Sequence, residues 1–264
     1  MKTLTEKRSK KFANGVVYAL ETSDGYPVEV TDTYLPFYTK DAIGRHQNTL
    51  THKDLGDRTH RWMIGVSVMS GCPVGCKFCA TGNLPRWKNL TAEEIVAQIE
   101  FVLSKHKKIA FTDAKEYKIN YTRMGEPFLN IAEVRKAIEI IDKKYPGTHH
   151  YVSTIGITKA DYSWIKDNIT LQVSLHSLIE DRRAWLIPWK NKASIEALGQ
   201  IRTESDLKTT VNLTLVDDAD FDIGLLHKYF DPNKFFIKLS PINPNAVSSE
   251  NTLGDGAIHA QNLV

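Results

Sequence analysis

No cysteine occurs before residue 72 or after residue 79, and the three that lie between are an odd number. That excludes the disulfide framework on which small secreted domains rely, and it suits a reducing compartment. No apolar run approaches the ~20 residues of a membrane-spanning helix. The opening stretch, Met1 to Lys11, has no apolar segment of the sort a secretory leader needs. Strong charge imbalance is missing too: a formal net charge of +3 neither requires nor excludes a nucleic-acid partner. What remains is an ordinary globular composition, 42% hydrophobic and 25% charged. With 264 residues the chain suffices for one large domain or a domain with an appendage. The expected setting is cytoplasmic, with no membrane association.

The cysteines form the motif Cys72-Pro-Val-Gly-Cys76-Lys-Phe-Cys79. Three thiolates can hold a 4Fe-4S cube but leave one iron without a protein thiolate. An iron so exposed can bind the amino and carboxylate groups of S-adenosylmethionine and reduce its sulfonium, releasing methionine and a 5'-deoxyadenosyl radical. Two blander readings stand beside this one. A structural zinc site normally takes four ligands, and three unrelated buried thiols would not be expected to cluster. Phe78 either forms an apolar wall beside the motif or simply packs.

The first 60 residues differ from the rest. Val16 to Leu20 and Val28 to Leu35 flank Ser23-Asp24-Gly25, the signature of a hairpin. Residues 38 to 60 are polar and read as a long loop; His46, His52, His60 and, further on, His106 have no cysteine beside them and read as surface residues. The basic N-terminus and the Lys105-His106-Lys107-Lys108 run read as solvated tail and loop. Domain bounds of 1–60 and 61–264 follow.

From Trp62 onward strand-like and helix-like stretches alternate. Strands are expected at Trp62 to Val68, Tyr117 to Thr122, His149 to Thr154, Ile169 to Leu175, Thr209 to Leu215 and Phe235 to Ser240. Thr91-x-x-Glu94 is a capping box opening a helix from Ala92 to Leu103, and Asn130 is placed as N-cap of a helix from Ile131 to Lys143. Further helices are expected near Lys159 to Lys166, Ser194 to Ile201 and Phe221 to Tyr229. Six strands alternating with helices imply βαβ units and a parallel α/β sheet, whose chemistry gathers at the carboxyl ends of the strands. The informative residues sit there: the cysteine loop after the first strand, Gly125-Glu126-Pro127 after the second, and Ser153-Thr154 closing the third. Ser174-Leu175-His176 closes the fourth, and Asn243 follows the sixth.

Taken in order, these segments resemble the radical S-adenosylmethionine superfamily and, within it, the adenine C2 and C8 methyltransferases of ribosomal and transfer RNA. The matching segments are Gly75 to Gly82, Lys88 to Ile99, Met124 to Asn130, Ser153 to Ile157, Ser174 to Ser177 and the spacing from Arg183 to Pro188. The resemblance implies a partial (β/α)6 barrel of parallel strands preceded by a short β-hairpin extension. It also implies a 4Fe-4S cluster on Cys72, Cys76 and Cys79, and S-adenosylmethionine as second cofactor. Glu126 would accept from the cofactor's amino group, Gly125 would let backbone approach, Ser153 and Ser174 would bond its carboxylate or ribose, and Asn243 its adenosyl end. The implied partners are a reductant such as flavodoxin or ferredoxin and an RNA or nucleotide substrate. His176 is a weak catalytic candidate, since a histidine at a strand end is more often packed. Arg182, Arg183, Trp185, Trp189 and Lys190 could clamp a nucleotide, or the tryptophans could be core.

The resemblance also predicts two further cysteines, a methyl carrier near the C-terminus and a resolving thiol seven residues before the first cluster ligand. The second position is Gly65, and the sequence reaches Val264 without the first. A glutamate of the hairpin assists proton removal in the family, and Glu29 is the nearest candidate. The leading expectation is therefore direct hydrogen abstraction from a substrate. The alternatives are an RNA adenine methyltransferase whose relay is supplied otherwise, and a non-catalytic module that binds cluster and cofactor.

Overall fold

The computed structural model describes residues 4–35, 56–214, 220–240, 242 and 244–253. The described residues fall into two compact units, one drawn from Met1–Ser70, Asn89–Met124 and Asn130–Tyr151, the other from Gly71–Lys88, Gly125–Leu129 and Val152–Val264.

In the first unit, β-branched and aromatic runs either side of the Asp-Gly turn form β2 (Gly15–Glu21) and β3 (Pro27–Leu35). They pair antiparallel with Ala19 opposite Glu29. Ahead of them the lysine-rich N-terminus is a strand, β1 (Thr5–Phe12), antiparallel to β2 and exposed at every residue. The tail reading is thus corrected, because backbone pairing with β2 satisfies the ladder whatever the side chains prefer. β3 pairs antiparallel with β4 (Arg61–Val66), and β4 pairs parallel with β7 (Glu116–Tyr121). Two short strands, β5 (Met69–Ser70) and β6 (Lys88–Asn89), lie between them in sequence. Helices α1 (Ala92–Ser104) and α2 (Ile131–Lys144) pack on one another. Ile95, Ile99 and Val102 of α1 are fully buried, as are Trp62, Ile64 and Ile119 of the strands. β8 (His149–Thr154) begins in this unit.

Two readings change here. The α1 capping box forms as expected, with Thr91 Oγ1 accepting from the Glu94 amide and Glu94 Oε2 from the Thr91 amide. Asn130 stands at the N-cap of α2 but does not cap it; its side chain donates to the carbonyls of Val68 and Leu90, both at 2.8 Å. His106 is not a surface histidine. Its Nε2 lies 2.7 Å from Oδ2 of the fully buried Asp32, which also accepts from Nε and Nη2 of Arg58 and from Trp62 Nε1. A buried carboxylate needs such donors, and they come from distant sequence. His46 and His52 lie outside the described residues.

In the second unit the strand order is β8, β9 (Ile169–Ser174), β10 (Thr209–Thr214), β11 (Phe235–Ser240), with β9–β10 and β10–β11 parallel. The helices are α3 (Glu180–Leu186), α4 (Ile195–Gly199), α5 (Ile223–Tyr229) and α6 (Ala246–Glu250). Val173, Leu175, Val211 and Leu213 of the strands form one core with Ile195, Leu198, Leu226 and Phe230 of the helices. No helix covers Lys159 to Lys166, where the chain makes turns instead. Asp161 Oδ1 accepts from both the amide and the hydroxyl of Ser163, a local bond that competes with the helical ladder. Among the described residues no helix is long and apolar enough to cross a membrane.

Candidate cluster and cofactor site

All three cysteines, Gly125, Glu126, Ser153, Ser174 and His176 belong to the second unit. The cysteines occupy one loop, are half-buried and form no disulfide. Cys79 closes back on Cys76 through an amide-to-carbonyl bond of 3.1 Å. Cys72, Cys76 and Phe78 pack against an apolar cluster of Val74, Ile155, Leu186, Ile187 and Ile242. Burial pushes the Cys72 thiol up to about 11 and the Cys76 thiol well above the ordinary range, with the neighbouring cysteines and Glu126 adding to the effect. Left alone, these sulfurs stay protonated; as thiolates they require a compensating cation, which the iron of a cluster would supply. The donor set fits a cluster: three soft ligands on one loop, in dry surroundings.

The loop is pinned by contacts that local sequence does not announce. Lys77 donates its amide to Leu186 O at 2.9 Å. Asn245, the N-cap of α6, donates to Phe78 O at 3.0 Å, and Asn251 donates to Lys77 O at 3.0 Å. The α6 helix was not expected; Asn245-x-x-Ser248 is a reciprocal capping box and was its one local signal.

Gly125 adopts φ +98, a conformation closed to most side chains, and delivers Glu126 into the interior. Glu126 is 3% exposed. Its Oε1 accepts from the Phe128 amide at 3.0 Å and its Oε2 from the Ile155 amide at 2.8 Å, with the Thr154 hydroxyl as a further partner. Burial outweighs these bonds and raises its carboxyl to about 7. With three donors in place, one of its about four acceptor sites is left for an ammonium donor. Ser153, next to last in β8, and Ser174, the last residue of the adjacent β9, have hydroxyls 3.1 Å apart, both on the face opposite the buried Val152 and Val173. Asn243 lies outside the described residues.

His176 sits against Phe78, ring centroids 4.6 Å apart, at φ +66. Its Nδ1 accepts from the Thr214 amide at 3.1 Å, and burial, aided by Arg183, lowers its pKa to about 3. It is a neutral, packed side chain. Glu29, in the first unit, is held by Arg123, whose Nε donates to it at 2.8 Å. Of the basic and aromatic group after β9, Arg183 is fully buried and cannot clamp a ligand from outside. Arg182 stacks on the exposed Trp185 at 4.7 Å and pairs with Asp220, while Trp189 packs with the cysteine loop's apolar cluster.

An α/β chain with parallel strands, a three-thiol loop and a buried Gly-Glu-Pro turn defines the class. Residues 66–222 match the family described as the radical SAM superfamily, and the chain belongs to it. Among curated relatives, a probable dual-specificity RNA methyltransferase RlmN of Pseudothermotoga lettingae is 35% identical over 191 residues, covering 67% of this chain and 54% of the relative. Its namesake in Dictyoglomus turgidum is 34% identical over 190 residues, covering 69% and 46%. This chain spans about half the length of these relatives. The crystal structure of a radical SAM methyltransferase from Sphaerobacter thermophilus superposes with a TM-score of 0.70 at 22% identity, over all of this chain and 73% of that one. That likeness establishes the fold, the partial-barrel α/β class expected from the sequence.

Proposed function

We propose that the chain is a radical enzyme that cleaves S-adenosylmethionine reductively and abstracts hydrogen directly from a nucleotide or RNA substrate, without a thiol relay at position 65. In this reading Cys72, Cys76 and Cys79 hold a 4Fe-4S cluster in a core spanning 61–264, with 1–60 as its extension. Gly125, Glu126, Ser153, Ser174 and Asn243 bind the cofactor, and a flavodoxin or ferredoxin in the cytoplasm serves as reductant. A cluster held by these cysteines would supply the single electron needed to break a carbon–sulfur bond of the cofactor's sulfonium. The chain's own residues do the rest. Ionised Glu126 accepts from the ammonium of the methionine moiety, the paired serines donate to oxygen, and the apolar wall of Val74, Ile155 and Ile187 excludes water.

The observation that carries this reading is the surroundings of Gly65. A Cβ added there would collide with Thr31 Oγ1 and lie 3.0 Å from Arg123 Cδ. Arg123 in turn is bound to Glu29, so the space a resolving thiol needs is filled and the nearest candidate base is already paired. A covalent adduct cannot be resolved by a hydrogen atom.

The second reading, an RNA adenine methyltransferase, is favoured by the relatives' names. Anaerobic reconstitution with dithionite, followed by mass spectrometry with and without RNA, separates the two. Direct abstraction yields 5'-deoxyadenosine and no S-adenosylhomocysteine. Methyl transfer yields S-adenosylhomocysteine and at least two cofactor molecules consumed per product. Cofactor bound without any 5'-deoxyadenosine would show a non-catalytic module.

A further inference from the structure

Arg183 is the only arginine or lysine among the described residues with no solvent exposure at all. Its Nη1 donates to Ala193 O at 2.8 Å and its Nη2 to Ile155 O at 2.7 Å, while its Nε–H, also buried, has no acceptor among the described residues. Every acceptor it has is a neutral carbonyl. The carboxylate with most influence on it is Glu180, one turn earlier on α3, which is exposed and accepts from the Ile195 amide. Solvent weakens that influence. A guanidinium taken out of water without a bonded anion costs several kcal/mol, so a buried negative charge is needed elsewhere.

The fold points to where that charge lies. Ile155, whose carbonyl Arg183 holds, packs in the same apolar cluster as Cys72 and Cys76. The α3 turn that carries Arg183 ends in Leu186, whose carbonyl receives the Lys77 amide from within the cysteine motif. After Glu180, Cys76 is the group that acts most strongly on the Arg183 charge. A cube on three thiolates carries net negative charge, and one-electron reduction makes it more negative. In the interior a fixed cation acts on that charge with much less screening than in water.

We infer that Arg183 is a positioning residue that supplies the buried positive charge against which the cluster of the cysteine loop is assembled and reduced. This rests on the three-thiolate reading proposed above. The single electron comes from dithionite in the test and from a low-potential one-electron donor in the cell; Arg183 neither gains nor loses a proton or electron.

The test is a redox titration of the reconstituted protein, reading the reduced cluster by paramagnetic resonance and iron and sulfide per chain by assay. Arg183→Gln removes the charge, whereas Arg183→Lys keeps it and loses the planar fork. At equal iron content and at the wild-type midpoint, the reduced-to-oxidised ratio is expected to fall at least tenfold in Arg183→Gln, a shift of ~59 mV for one electron. Arg183→Lys is expected to stay within threefold of wild type. A fully loaded Arg183→Gln that titrates like wild type overturns the inference and leaves Arg183 a mere brace. An Arg183→Lys as displaced as Arg183→Gln, or failure of both variants to load, overturns it as well. If Arg183→Gln alone fails to load, a loaded Arg183→Lys within threefold of wild type supports the inference, and one displaced tenfold overturns it. Wild-type protein without iron and sulfide would instead sink the cluster reading itself, and this inference with it.

Discussion

Glu126 and Arg183 grip one residue from opposite sides: Glu126 Oε2 accepts the Ile155 amide at 2.8 Å, and Arg183 Nη2 donates to the Ile155 carbonyl at 2.7 Å. The backbone just past β8 is therefore fixed between a buried acid and a buried base, beside the thiol loop. Disturbing either grip should be felt at the cysteines.

Glu126 gives the cofactor-free chain a pH signature. Burial raises its folded pKa from 4.5 to about 7. A raised folded value means stability present below the unfolded pKa and lost as pH rises through the folded one, because the native state holds the proton longer. Wild type should therefore lose up to roughly 3 kcal/mol between about pH 4.5 and 7 relative to Glu126→Gln, at ~1.4 kcal/mol per unit. Urea unfolding of both proteins at pH 5 and pH 8 measures this difference. Parallel behaviour across that window would rule out the ionisation described.

Cys76→Ala removes the middle thiol of the loop. Iron and sulfide content and 5'-deoxyadenosine formation should fall together to background, while far-ultraviolet circular dichroism stays that of wild type. Cleavage that survives the substitution would contradict the ligand assignment.

Gly65→Cys should not install a relay. The new side chain must displace Thr31 or Arg123, and overpacking of this kind costs ~1–3 kcal/mol. Adding Arg123→Gly should recover part of that loss by opening the space on one side. Thermal unfolding of the single and double variants checks the coupling, and S-adenosylhomocysteine appearing with the single variant would count against the direct-abstraction reading.

His176 is expected to be a packing residue. With its pKa near 3 it is neutral across the working range, so the pH profile of cofactor cleavage should show no limb near 6.5 that vanishes in His176→Asn. Asparagine tolerates the left-handed backbone found there. His176→Ala leaves the Thr214 amide without its acceptor and should cost ~1–3 kcal/mol.

Much of this arrangement could be read along the chain, because strands and helices bury one face and announce it by period. His149–Thr154 and Phe235–Ser240 fall where alternation and flanking turns place them. The Thr91 and Glu94 pair marks α1 because both halves of the bond lie within four residues. Long-range ties were illegible. Asn130 looks like a cap and instead joins two loops; Arg183 looks like a surface clamp and is interior; His106 looks solvated and meets Asp32, 74 positions earlier. Each partner is set by tertiary packing, so no window of local sequence contains it. The thiol triplet was legible because its spacing carries the chemistry, whereas Asn245 and Asn251, which hold its backbone, lie more than 160 positions away.

The outermost ribbon, Thr5–Phe12, leaves one row of amides and carbonyls without a neighbouring strand among the described residues, yet it bears Lys7, Arg8, Lys10 and Lys11. Like charges arrayed along a bare margin repel a second molecule that would otherwise zip onto it. Erasing those charges, by substitution with threonine, would turn the margin into a seed for fibrous self-association while leaving the thiol loop untouched.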